Sequence, residues 1–166
     1  MKRSKHPASS DQPTPSAQEA ALTKILRYCA YQERCHREVK NRLVGYGLQY
    51  NEADELLAHL ITEGFLNEER YARSFAGGKF RMMKWGRIKI QHELKKAGLT
   101  PRCIAIGLAE IDPSDYLKTM KTLIRKKKMQ SENENLMKAK KGVAQFVIGK
   151  GYEPELVWEA VNDWVE

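Results

Sequence analysis

Three glycines, Gly47, Gly98 and Gly151, stand 51 and 53 residues apart, and the chain around each carries the same apolar pattern. Eight residues before them stand Val39, Ile90 and Val143, and four before stand Leu43, Leu94 and Val147. Directly after come Leu48, Leu99 and Tyr152. Six, ten and thirteen positions on come Ala53, Ile104 and Val157, then Leu57, Leu108 and Val161, then Leu60, Ile111 and Trp164. A helix that buries its −8 and −4 positions and stops at a glycine fits the left-handed cap that only glycine adopts freely. A second helix then buries +6, +10 and +13 on one face. Each pair is preceded by a further stretch of helical apolar spacing, at 17–32, 67–84 and 113–129. Units this small bury too little surface to stand alone, so neighbours must pack on one another.

The spacing therefore predicts an all-α chain: three tandem three-helix repeats forming an elongated, curved row. Repeat 1 spans 17–66, repeat 2 spans 67–111 and repeat 3 spans 112–166. Residues 1–16 hold three of the six prolines and a single large apolar side chain, and are expected to form a flexible arm. Helix starts are marked at Asn67, at Thr100-Pro101, at Asp112-Pro113 and, more weakly, at Glu153-Pro154. No apolar-polar alternation bounded by turns points to strands.

The net charge of +8 is spread in blocks. Residues 1–50 carry +5, 51–69 carry −6, 79–102 carry +7, 112–150 carry +6, and the tail from 153 carries −5. Such alternation suits a protein that meets a polyanion or an acidic protein surface with part of itself. No apolar run approaches the ~20 residues of a membrane helix. No apolar stretch follows the charged start as a signal peptide requires, so a cytoplasmic protein with no membrane contact is expected.

Enzymatic motifs do not appear. There is no GxxxxGK[ST], GxGxxG, HExxH or GxSxG. Cys29, Cys35 and Cys103 form no CxxC pair and read as small half-buried residues of a reducing compartment. The four histidines have no partner at metal-ligand spacing. The expectation is a non-enzyme without cofactor or metal.

Two basic stretches are the candidate contact residues. The first comprises Lys79, Arg81, Lys84, Trp85, Arg87 and Lys89. They crowd the junction before the helix that starts at Gly86, whose free N–H groups would complete an anion site. Trp85 is a candidate for stacking on a base or a partner side chain, although Trp85, Ile88 and Ile90 read first as residues packed between units. Lys84, Arg87 and Lys89 together are expected to be removable without harm to the fold. The second comprises Arg125, Lys126, Lys127 and Lys128, with Lys118 and Lys121 before it and Lys138, Lys140 and Lys141 after it. The helix dipole explains part of the 125–128 run but not 138–141.

The segment Gly64-Phe65-Leu66-Asn67-Glu68-Glu69-Arg70-Tyr71-Ala72, followed by Phe75, Lys79, Trp85-Gly86, Lys89-Ile90, Glu93-Leu94 and Gly98-Leu99, resembles the core signature of the RecX family. More loosely, Glu38-Val39 with Arg42-Leu43 and Phe146 through Gly151-Tyr152 resemble its first and third units. The resemblance covers about residues 18–165. It implies three three-helix repeats and a regulator of the RecA recombinase that needs no cofactor; a self-capped row of units is expected to be a monomer. Such a regulator would lie in the groove of the RecA–single-stranded-DNA filament, inhibit ATPase, strand exchange and co-protease activities in DNA repair and the SOS response, and bind DNA weakly itself. Gly77-Gly78 departs from the pattern, standing where helix formers are usual, and is expected to bend the helix or end it early. The 125–128 run is not part of the signature. The other reading from the residues is a helix-turn-helix-like DNA-binding protein acting independently of RecA.

Overall fold

The computed structural model describes residues 16–131 and 133–164. The described residues form nine helices and no strand: α1 (Ala17–Tyr31), α2 (His36–Gly45), α3 (Tyr50–Thr62), α4 (Glu68–Met83), α5 (Arg87–Lys96), α6 (Pro101–Leu108), α7 (Pro113–Met129), α8 (Leu136–Gly149) and α9 (Pro154–Asn162). Helix starts follow local chemistry. The side chains of Asn67, Thr100 and Asp112 accept N–H groups of the first turns of α4, α6 and α7. Ser16, assigned to the arm from sequence, is instead the N-cap of α1 and forms a capping box with Glu19. The rest of the arm lies outside the described residues.

The repeated glycines behave alike. Gly47, Gly98 and Gly151 have φ of +95°, +88° and +98°, each just past the end of α2, α5 or α8. Their N–H groups close the last turn by donating to Val44, Lys95 and Ile148 carbonyls at 2.8–3.0 Å. The −8 and −4 residues of all three copies are completely buried. The residues at +1 and +6 are buried too, while Leu57 and Leu108 at +10 and Trp164 at +13 sit at the core's edge.

Two hydrophobic cores result. Ala21, Ile25, Val39, Leu43, Leu48, Ala53, Leu60 and Leu66 form one core of α1–α3 and the turn after it. The other runs without a break through α4–α9, from Ala72 and Ile90 to Tyr116, Val147 and Val161. Within it α4 and α6 cross closely, because Gly107 lies against the Ala72 backbone where a Cβ would stand 2.7 Å from the Ala72 oxygen. The joint between the two cores is mostly polar. The Arg70 guanidinium donates to Gly64 O at 2.9 Å and to Glu33 at 3.0 Å, Arg37 donates to Lys96 O, and His36 meets Glu68 at 3.5 Å. Cys35 is the buried apolar residue that α4–α9 borrow across it.

Gly77-Gly78 does not end α4, which continues to Met83. Gly77 is buried under the Arg81 guanidinium, where a Cβ would meet Nη1 at 2.7 Å. The other fourteen residues of α4 and its packing on α6 outweigh two poor helix formers. No helix of the described residues is long and apolar enough to cross a membrane.

Candidate functional site

The anion site expected at the start of α5 is not available. Gly86 N–H donates to Lys150 O at 2.8 Å, Arg87 N–H to the Tyr116 hydroxyl at 3.0 Å, and Ile88 N–H to Gly151 O at 3.0 Å. The third unit thus consumes the N–H groups that a free helix end would offer a ligand. Arg87 is also committed. Its guanidinium lies 3.9 Å from the Tyr116 ring centroid and 3.6 Å from Glu153, with its side chain 30% exposed. The Tyr116 hydroxyl in turn donates to Glu153 at 2.6 Å. Burial, reinforced by this bond to a carboxylate, pushes the Tyr116 pKa well above the usual phenol range. Arg87 therefore joins units 2 and 3, and is not a cation that can be removed without harm to the fold.

The two basic stretches meet elsewhere. A groove of about 500 Å³ runs between the end of α4 and the face of α7, lined by Arg81, Lys84, Lys118 and Lys126 with Thr119, Thr122 and Asp115. Lys121 and Arg125 continue the same face of α7 beside the exposed Leu117. None of these six cations pairs with a carboxylate among the described residues. Helix periodicity explains the row, since 118, 121 or 122, and 125 share a face. Among the described residues Asp115 is the one carboxylate lining the groove, against four cations, so the groove keeps a net positive field that extends into solvent. Lys84 stands at the end of α4 with φ +57°, the only non-glycine residue of positive φ among those described, and its ammonium donates to Arg81 O at 2.6 Å. Lys118 and Lys121 were visible only as neighbours of the 125–128 run, and Thr119 and Thr122 carried no signal in sequence.

The remaining candidates separate into two further places. Lys79 and Lys89 do not face the groove. Their ammonium groups lie 5.0 and 4.5 Å from the Trp85 ring centroid. Trp85 packs partly buried against the α4–α9 core and meets Phe75 edge-on at 6.5 Å. Lys127 lies over Phe146 and Lys128 over Trp164, at 5.3 and 4.6 Å. Lys140 reaches the carbonyls of Asn162 and Trp164, where the end of α9 is negative. Lys138 pairs with Glu134 at 3.6 Å, and Lys141 is exposed. The 127–141 cations thus largely tie α7, α8 and α9 to one another.

All three cysteines are free thiols, and burial raises the pKa of Cys29 and Cys35, which disfavours the reactive thiolate. No group of three or more His, Cys, Asp or Glu among the described residues is arranged to hold a metal ion.

Residues 67–108, which hold α4, α5 and α6, match the family model described as RecX, second three-helix domain. The chain is 24% identical over 143 residues to regulatory protein RecX of Geobacillus kaustophilus, covering 86% of this chain and 53% of that one. It is 32% identical over 92 residues to regulatory protein RecX of Lacticaseibacillus paracasei, covering 55% of this chain and 38% of that one. The same-named protein of Mycolicibacterium smegmatis is 22% identical over 149 residues, covering 87% and 79%. The chain spans about half the length, or less, of the first two of these relatives. Two solved structures share the fold with a TM-score of 0.79. One is a crystal structure of regulatory protein RecX, at 21% identity over 89% of this chain and 72% of that chain. The other is RecX from Lactobacillus salivarius, at 18% identity over 89% and 96%.

Proposed function

The chain belongs to the RecX family, and from that premise we propose that it is a negative regulator of the RecA recombinase. In this reading it binds the RecA–single-stranded-DNA filament and inhibits its ATPase, strand exchange and co-protease activities, as a cytoplasmic monomer without a cofactor. The observation that carries the reading is that the family's second three-helix domain falls on α4–α6, and α4 supplies one wall of the α4–α7 groove. A regulator of this kind needs no reacting group. A row of units that spans neighbouring subunits holds one filament conformation and so opposes the changes that ATP turnover and subunit addition require. Each unit can bind modestly, because later contacts become intramolecular. In this reading the groove cations Arg81, Lys84, Lys118 and Lys126 meet acidic protein surface or filament DNA, while Arg87 holds the protein's own joint.

The test is the single-stranded-DNA-dependent ATPase of the cognate RecA with this protein added at increasing ratio. Inhibition is expected, and its stoichiometry separates modes of action. Strong inhibition far below one copy per RecA indicates action at filament ends, and inhibition near one to one indicates coating. Absence of inhibition at saturating protein overturns the reading.

The second reading, a DNA-binding protein acting without RecA, is favoured by one observation: four cations and two threonine hydroxyls around one groove suit phosphate oxygens. It predicts binding to bare DNA whose affinity falls linearly with salt on a logarithmic scale. The acidic stretches at 51–69 and beyond 153 would repel a duplex laid along the units.

A further inference from the structure

From the turn between α4 and α5 we infer that Lys79, Trp85 and Lys89 form a preorganised clamp for a carboxylate side chain of a protein partner. The inference rests on the reading of the chain as a regulator that docks on another protein, and it names a contact separate from the α4–α7 groove. Two ammonium groups lie within 5.0 Å of one indole centroid, and neither has a carboxylate partner within 4.0 Å among the described residues. The acids nearest Lys79 in its pocket are engaged: Glu33 with Arg70 at 3.0 Å, and Glu38 with the Cys35 N–H at 2.9 Å. Both lysines are half-buried, so their stems are ordered and their like charges repel in a partly desolvated setting. An incoming carboxylate relieves that repulsion by supplying the opposite charge beside the ring.

The clamp is held rigidly, as a docking anchor requires. The Trp85 backbone N–H donates to the Lys79 carbonyl at 3.3 Å, which fixes the turn that carries the ring. Gly86, next in the chain, is pinned to Lys150, and Lys89 packs its stem against Gly151. Lys84, on the other side of Trp85, takes a left-handed conformation that lysine adopts only under constraint from its surroundings. The same geometry disfavours a nucleic-acid base. A base needs the indole face, and there the two ammonium groups already sit.

The experiment uses the full chain with nitrogen-15 in its three tryptophan indoles, each signal assigned by Trp→Phe substitution. Hexaglutamate and hexathymidylate are titrated separately at low salt. Hexaglutamate is expected to shift the Trp85 indole signal, and Lys79→Gln with Lys89→Gln to weaken that response about tenfold. If the double variant melts early, Lys79→Arg with Lys89→Arg keeps both charges and is expected to keep the response. Three results overturn the clamp: a Trp85 signal unmoved by hexaglutamate, an unchanged response in the Gln variant, or a larger shift with hexathymidylate. A chain that fails to inhibit RecA while Trp85 still answers hexaglutamate overturns the RecA reading alone. Inhibition of RecA with a silent Trp85 overturns the clamp alone.

Discussion

Gly86 and Gly151 lie backbone against backbone. A Cβ added to Gly86 would overlap the Gly151 carbonyl, and one added to Gly151 would overlap the Lys89 side chain. This contact lets Gly86 and Ile88 donate to the turn after α8. Gly86→Ala forces the two turns apart and should cost about 3 kcal/mol in chemical denaturation. Gly142→Ala is the control. Gly142 lies inside α8 with open space around it, so the substitution should gain about 0.5–1 kcal/mol.

Tyr116 and Tyr152 stack at 4.9 Å, yet their hydroxyls differ. Tyr116 links Arg87 N–H to Glu153, whereas the buried Tyr152 hydroxyl has no partner among the described residues. Tyr116→Phe should cost about 1–3 kcal/mol near pH 7, and Tyr152→Phe should cost almost nothing.

The same pair sets an alkaline limit. Burial pushes the Tyr152 pKa up to about 12 and raises that of Tyr116, against 10 in the unfolded chain. The unfolded chain thus loses these protons first, so their contribution to stability is complete below pH ~10 and falls as pH rises toward ~12. Melting temperatures across that range should drop, and drop less steeply in Tyr152→Phe.

Replacing Arg81, Lys84, Lys118 and Lys126 by Gln should leave stability within about 0.5 kcal/mol at the three lysines, which are exposed and unpaired, and cost more at Arg81, whose guanidinium covers Gly77. RecA inhibition should weaken at least tenfold by the ATPase measurement. Arg87→Gln should do the reverse first, losing about 1 kcal/mol of stability through its contacts with Tyr116 and Glu153. A melt beside each inhibition curve distinguishes the two.

Hydrogen exchange should divide the chain. Helices α1–α3 have a core of their own and a polar joint, whereas α4–α9 share one core. Amides of α1–α3 should open together at a lower free energy than those of α5 and α8. Identical protection throughout would contradict that division.

The repeat was legible in sequence because glycine caps and −8/−4 residues act locally, through φ and helix period. Val39, Ile90 and Val143 are buried for the same reason in each copy. The candidate site was legible only in part. Composition showed that Arg81 and Lys126 are basic, but their meeting across α4 and α7 depends on tertiary packing that spacing does not encode. Arg87 misled for the same reason, since its partners Tyr116 and Glu153 are supplied by the third unit. Gly77-Gly78 looked like a helix break because propensity ignores what covers it, here the Arg81 side chain.

The joint at Gly86 also orders how the chain matures during synthesis. Every residue of the α1–α3 core is made before α4 begins, so that unit can close as soon as it clears the ribosome. The start of α5 cannot: the Lys150 and Gly151 carbonyls that receive its N–H groups, and the Glu153 that receives Arg87, follow it by roughly sixty residues in the chain. Until they are made, the basic turn around Trp85 is held only by its own unit, and the joint between units 2 and 3 closes after both of its sides exist.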